Sequence, residues 1–345
     1  MSYIGADFVA DALASLGVEH AFAIVSIHNM PLLDAINRLG KTKIIDVRHE
    51  QAGTHAADGY ARATGKMGVM IASTGPGTSN TVTGLYESQF GSSRVLVITG
   101  QADTTFYGKG LSYVHEAEKQ IQMLSSVCRR VESPRHISQL ADSFQAVVSD
   151  MFTGRPQPGA IEIPIDLQYA NTKKVAIELP SDNIFEADSL VISKVADKIN
   201  EASKRIFVVG GGVISSEATQ ELCELAEQLD APVLTTVDGR GVLPEDHRLC
   251  MGNYYNSAGI YSAIQDADLT IAIGTKFAVG VDGQFHEQTP PGELIQIDID
   301  GNMIGRTHKA AIGVLSDAKS ALNQLKPLVS DLSQNDSQFN EALFQ

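Results

Sequence analysis

Apolar positions recur along the chain at two spacings, one belonging to amphipathic helices and one to buried strands. Phe8, Val9, Ala12, Leu13 and Leu16 follow helical spacing, and Gly17 supplies the left-handed residue that ends a helix. Short unbroken apolar runs come next: AFAIV (21–25), KIIDV (43–47), GVMIAS (68–73) and RVLVITG (94–100), separated by helix-length segments such as PLLDAINR and TSNTVTGLYESQF. Their alternation predicts β-α-β units and a parallel sheet. A helix over 137–151 and a strand AIEIP (160–164) complete a first domain, residues 1–170.

Residues 171–188 mix Pro, Asn, Lys and acids without sustained periodicity, as a surface linker does. The pattern restarts with a helix near Leu190, strand RIFVVGGG (205–212), helix EATQELCELAEQL, strands PVLTT (232–236), DLTIAIG (268–274) and ELIQIDID (293–300), and a helix from Asp317. This predicts a second α/β domain over 189–330, with a polar tail at 331–345. The expected fold is therefore two three-layer α/β/α domains with largely parallel sheets.

Length and composition agree with that picture. At roughly 150 residues per domain, 345 residues suggest two domains, and 30 Gly with 12 Pro suit the many turns of α/β folds. A net charge of −15 repels phosphate backbones and anionic lipid headgroups. No basic patch offsets it, so nucleic acid and membrane surfaces are set aside as partners. Cys128, Cys223 and Cys250 lie far apart, with neither the pairing of a disulfide framework nor the close spacing of a zinc site, and no metal-ligating set is assigned. The N-terminus lacks a basic n-region, and no apolar run approaches the ~18 residues of a membrane span. A soluble cytoplasmic protein is expected.

Glu50 directly follows the strand KIIDV, at the end of a sheet where α/β proteins bind ligands. By position alone it reads as a carboxylate favoured by a helix N-terminus. Gly75, Pro76 and Gly77 of TGPG read, alone, as an ordinary strand-to-helix turn.

The strings RHEQAGTHAADGYARATG (48–65), ASTGPGTSN (72–80) and VITGQ (97–101) stand in one order and spacing. Together they resemble the pyrimidine-binding domain of thiamine-diphosphate enzymes, nearest the acetolactate synthase group of carboligases and decarboxylases. That resemblance implies that Glu50 hydrogen-bonds the aminopyrimidine ring nitrogen, favouring the imino tautomer that takes the thiazolium proton, and that the substrate is a small 2-keto acid. It also makes Gly75, Pro76, Gly77 and Asn80 cofactor contacts, since Gly admits close backbone approach and Asn both donates and accepts. Gln101, past a strand end, becomes a substrate-site candidate.

Two departures from the family pattern bear on the substrate. Val114-His115-Glu116 stands where acetolactate synthases often have Phe-Gln-Glu, and Ser26 and His28 in AIVSIHNMP replace a glycine-rich turn. His115 either faces the substrate as a donor or proton carrier or is a surface loop histidine. His28 is a candidate on the substrate side. His49 and His55 read as structural residues of a helix start.

The second domain resembles the family's central domain through VVGGGV, APVLTTVDGRGVLPEDH and ADLTIAIGTKF. Its glycine triplet lacks a dinucleotide fingerprint and reads as a tight turn, so FAD is expected to be absent or structural. The family's third domain holds Mg2+ and the cofactor diphosphate through a Gly-Asp-Gly motif, and the Asp-Gly pairs at Asp58, Asp238 and Asp282 do not match it. The expected role is a subunit or fragment, inactive alone, that works with a diphosphate-binding domain or subunit as a homodimer or tetramer. The alternative is a non-catalytic binding or regulatory protein that retains the fold.

Overall fold

The computed structural model describes residues 2–180, 185–253, 258–278 and 289–332. Asp282, residues 181–184 of the expected linker and the tail from 333 lie outside the described residues. The chain divides into two compact units, Met1–Asp182 and Asn183–Gln345.

In the first unit α1 (Gly5–Ser15), β1 (His20–Ala23), α2 (Met30–Leu39), β2 (Lys43–Asp46), α3 (Glu50–Thr64), β3 (Gly68–Ala72), α4 (Pro76–Gly91) and β4 (Val95–Gln101) follow in order. After them come α5 (Gln120–Ser125), β5 (Arg130–Glu132), α6 (Leu140–Phe152), β6 (Gly159–Pro164) and α7 (Ile165–Tyr169). The strands form one six-stranded sheet, β2-β1-β3-β4-β6-β5, parallel throughout. Alternate residues of its apolar strands face opposite sides. Val69 and Ile71 of β3 join a core with Phe8, Leu13, Ile36 and Phe144 from α1, α2 and α6. Met70 and Ala72 join a second core with Ala57, Leu85 and Leu124 from α3, α4 and α5. Helices thus cover both faces, which is why these strands read as unbroken apolar runs.

The second unit runs α8 (Ser189–Glu201), β7 (Arg205–Val209), α9 (Gly211–Ser215), α10 (Thr219–Leu229), β8 (Val233–Thr235), β9 (Cys250–Asn253), α11 (Ala258–Ala263), β10 (Leu269–Ile273), β11 (Glu293–Asp298), β12 (Ile312–Leu315) and α12 (Ala318–Leu325). Its sheet, β12-β11-β10-β7-β8-β9, is also parallel throughout. Asp188 caps α8 by accepting from Leu190 N at 2.8 Å, and Asp317 caps α12 by accepting from Ser320 N at 3.2 Å.

The hydrophobic pattern does not announce β5, β9 or β12, and all three are edge strands. β5 is three residues long with an exposed Arg130, and β9 contains Gly252 and Asn253. Strands paired on one side only bury less side chain and can carry polar residues that erase the apolar run.

Candidate active site

In the first sheet β1 is flanked by β2 on one side and β3 on the other, so the chain reverses its direction of progress between β1 and β3. Ligands of open α/β sheets bind beyond the carboxyl ends of the strands at such a point. Three segments lead out of those ends: residues 24–29 after β1, 47–50 after β2 and 73–77 after β3.

Glu50 opens α3, whose N-cap His49 accepts from Gln51 N through Nδ1 at 3.2 Å. Its side chain is nonetheless turned inward, with the residue only 9% exposed. Asn80 of α4 donates its Nδ2 to Glu50 Oε2 at 3.0 Å. Arg62 ties the same two helices together, pairing with Asp58 at 2.9 Å and with Glu87 of α4 at 3.2 Å. Gly77 closes the site from α4: a Cβ there would lie 2.8 Å from Ser73 Cβ and 3.2 Å from Glu50 Oε1. The absence of a side chain at 77 lets that carboxylate oxygen sit against the turn. Among the described residues Oε1 accepts no hydrogen bond, whereas Oε2 is taken by Asn80. Pro76, exposed at the first position of α4, leaves no N–H to satisfy there.

The turn itself is anchored from beneath. Gly75 adopts φ 58°, ψ −112°, donates its N–H to Gln120 Oε1 at 2.8 Å and faces the His115 carbonyl. Thr74 Oγ1 lies 3.1 Å from the same Gln120 oxygen and 3.2 Å from Gln101 Oε1. Both glutamines then converge on Glu162 of β6: Gln101 Nε2 donates to its Oε2 at 2.9 Å and Gln120 Nε2 at 2.8 Å, while Ser133 Oγ donates to Oε1 at 2.8 Å. Gln101 is thus fully buried and committed to this network. Sequence reasoning passed over Glu162 and Gln120. The available signal was an acid in the middle of the apolar strand AIEIP, which a buried position tolerates only with donors around it.

Burial pushes the Glu162 carboxyl above the ordinary value of 4.5, with the donors from Ser133 and Gln101 and the charge of Arg135 opposing the rise. Because the folded value exceeds that of the unfolded chain, Glu162's stabilising contribution is full below the unfolded value and is lost as pH rises through the folded one. Glu162→Gln keeps an oxygen for the two amides and cannot titrate. Urea unfolding at a series of pH values should therefore show wild-type stability falling relative to this variant as pH rises from 4.5. Parallel curves would contradict the assignment.

The loop from 102 to 119 lies over the turn. It is held by Asp166, which accepts from Thr104 N at 3.0 Å, by Glu116, which accepts from Gly108 N at 2.6 Å, and by Arg135 over the Tyr107 ring at 3.9 Å. His115 is exposed at φ 61°, with its ring centroid 6.0 Å from that of His28. His28 is 1% exposed, its carbonyl accepts from Gln168 at 2.7 Å, and neither ring nitrogen has a hydrogen-bond partner. Burial, and then the charge of His115, lower its pKa below the usual histidine range. Tyr113 also packs at 6.0 Å from the His28 ring. His55 is exposed on α3, away from this group's contacts.

Comparison with known proteins decides the family. Residues 4–125 match the model of the thiamine pyrophosphate enzyme N-terminal TPP binding domain, and residues 192–325 match that of the central domain. The chain belongs to the thiamine pyrophosphate enzyme family. It is 34% identical over 330 residues to a probable acetolactate synthase large subunit of Methanocaldococcus jannaschii, covering 93% of this chain and 55% of that protein. It is 35% identical over 327 residues to an acetolactate synthase of Mycobacterium avium (93% and 52%), and 33% identical over 328 residues to the acetolactate synthase large subunit of Corynebacterium glutamicum (93% and 52%). The chain spans about half the length of these relatives.

Family membership implies thiamine diphosphate as cofactor, and the polar groups around Glu50 are compatible with its pyrimidine. A mostly buried carboxylate has one oxygen held by Asn80 and the other without a donor, beside a glycine backbone. An oxygen so placed can accept from an N–H such as a ring N–H of the pyrimidine. In the central domain the glycine triplet forms a packed turn: Gly210 N donates to Ile273 O and Gly212 N to Gly274 O, both at 3.0 Å. A Cβ at Gly210 would lie 2.3 Å from Gly274 O. Those two amides are spent on the neighbouring strand's exit rather than presented to a phosphate. No helix among the described residues is long and apolar enough to cross a membrane.

Proposed function

We propose that this chain builds the pyrimidine side of the active site of a thiamine-diphosphate-dependent carboligase or decarboxylase acting on a small 2-keto acid, in concert with a diphosphate-binding domain and Mg2+. The observation that carries the reading is the Glu50–Asn80 pair, with its open Oε1 against the Gly75–Gly77 turn. Similarity to acetolactate synthases over 93% of the chain supports the substrate class.

When bound, thiamine diphosphate supplies the nucleophilic carbon and the electron sink for making or breaking a bond next to a carbonyl. Glu50 holds the pyrimidine N–H and shares its proton, Asn80 fixes the carboxylate, and Gly77 leaves room for the ring. Gly75 and Pro76 shape the turn, which Gln101, Gln120 and Glu162 brace from inside the sheet. On the substrate side His28 and His115 offer imidazole nitrogens where the family usually has small or amide residues. Burial lowers the His28 pKa and so favours its neutral form, which both donates and accepts. A homo-oligomer in the cytoplasm is the setting this reading expects, with FAD absent or structural.

The test is titration of thiamine diphosphate and Mg2+ into the chain with and without a family diphosphate-binding domain, following 2-keto acid consumption. Turnover is expected only with both present. Absence of turnover with any such domain, across a panel of 2-keto acids, would leave a non-catalytic binding protein as the better account.

A further inference from the structure

α10 carries Cys223 and Glu227 one turn apart, an i, i+4 pair that shares a helix face. The core-facing positions of that helix are Leu222, Leu225, Ala226 and Leu229, so Cys223 and Glu227 lie on the flank. His247 is brought to them from the turn before β9, where its N–H donates to Pro244 O at 3.0 Å and its carbonyl accepts from Cys250 N at 2.9 Å. Its Nε2 stands 3.8 Å from Cys223 Sγ and 3.1 Å from Glu227 Oε1. The three ligand atoms all lie within 4.8 Å of one another.

Two features separate this cluster from a chance surface contact. Both Cys223 and Glu227 approach the same imidazole nitrogen, which excludes a thiol–imidazole–carboxylate relay, because a relay needs the acid on one nitrogen and the thiol on the other. Convergence on one point is instead how metal ligands are arranged. The spacing also fits: metal bonds of about 2.0–2.3 Å at tetrahedral angles put neighbouring ligand atoms roughly 3.3–3.7 Å apart. The observed 3.8 and 3.1 Å bracket that range. Glu227 is half-exposed, leaving a route in and a fourth position for water.

We propose that Cys223, Glu227 and His247 bind a divalent transition-metal ion of the zinc type on the central domain. Binding releases the Cys223 thiol proton to solvent. The imidazole stays neutral by carrying its proton on Nδ1 instead of Nε2. Leu249 N–H, now 3.2 Å from Nδ1, must turn away, and that single long hydrogen bond is small beside three coordinate bonds.

The experiment adds Co2+, as an optical stand-in for Zn2+, to the full chain. The expected result is one equivalent bound, with a thiolate-to-cobalt charge-transfer band that Zn2+ abolishes by displacement. Cys223→Ser should remove the band, and His247→Ala should weaken binding by more than the roughly 10–100-fold that loss of a group supporting a ligand costs, while Cys128→Ser and Cys250→Ser leave both unchanged. Glu227→Gln, at a half-exposed position that tolerates change, should also weaken binding and guards against misfolding of the other variants. No charge-transfer band, or one that survives Cys223→Ser, overturns the proposal.

Discussion

Glu50→Gln should lower turnover of a 2-keto acid by about 10²–10⁴-fold, the usual contribution of a positioned proton-transfer group, when assayed with thiamine diphosphate, Mg2+ and a diphosphate-binding domain. Gln has nearly the shape of Glu, and its carbonyl can still accept from Asn80, which now donates to Oε2 at 3.0 Å. The change falls on the other atom. An amide nitrogen in place of Oε1, beside Gly77, presents a donor where the pyrimidine N–H needs an acceptor, and it cannot take a proton. Folding should be nearly unaffected, because the side chain keeps its volume and its partner, so thermal unfolding of the variant is the control. Near-wild-type turnover in a folded Glu50→Gln protein would remove Glu50 from the chemistry.

Gly75→Ala should destabilise the first unit by about 1–3 kcal/mol from backbone strain alone, with a further cost from collision. At φ 58° and ψ −112° the backbone occupies a conformation that L-residues avoid. The added methyl would also lie 2.6 Å from the His115 carbonyl oxygen, a backbone atom that cannot swing aside. Either the turn or the loop must move, and the Gly75 N–H to Gln120 bond of 2.8 Å goes with it. Gly108→Ala separates the two costs: its φ is 75°, yet nothing lies within 4 Å of the new methyl. Denaturant unfolding should rank Gly75→Ala well below Gly108→Ala, and limited proteolysis should cut the 102–119 loop faster in the former. Equal losses would mean that the loop does not rest on the turn as described.

Much of the architecture was legible because it depends on local periodicity. Strands buried on both faces must be apolar along their length, so β3, β4, β6, β7, β10 and β11 stood out as runs, and helix ends were marked by Gly17 and Asp317. Of the four edge strands only β2 showed, through KIIDV; β5, β9 and β12 were not legible, since half-buried residues need not be apolar. The family was legible for a different reason: three separated strings kept their order and spacing, a coincidence that turns and propensities alone do not produce.

The sequence by itself determined two α/β domains, the family and the position of Glu50 at the start of a helix after a strand. Only the tertiary structure decided what surrounds that carboxylate. Glu50 and Asn80 are 30 residues apart and meet because α3 and α4 pack side by side. Gln101, a substrate-site candidate by its place at a strand end, is fully buried and bonded to Glu162, a partner 61 residues away. His28 proved to be a buried imidazole without hydrogen bonds beside an exposed His115. His247, which no spacing rule joins to the i, i+4 pair Cys223 and Glu227, meets them because a helix flank and a turn are folded onto one another. Periodicity records which face of an element is covered, a one-dimensional property. Which polar groups face each other depends on long-range packing, and a chain read residue by residue does not contain that distance.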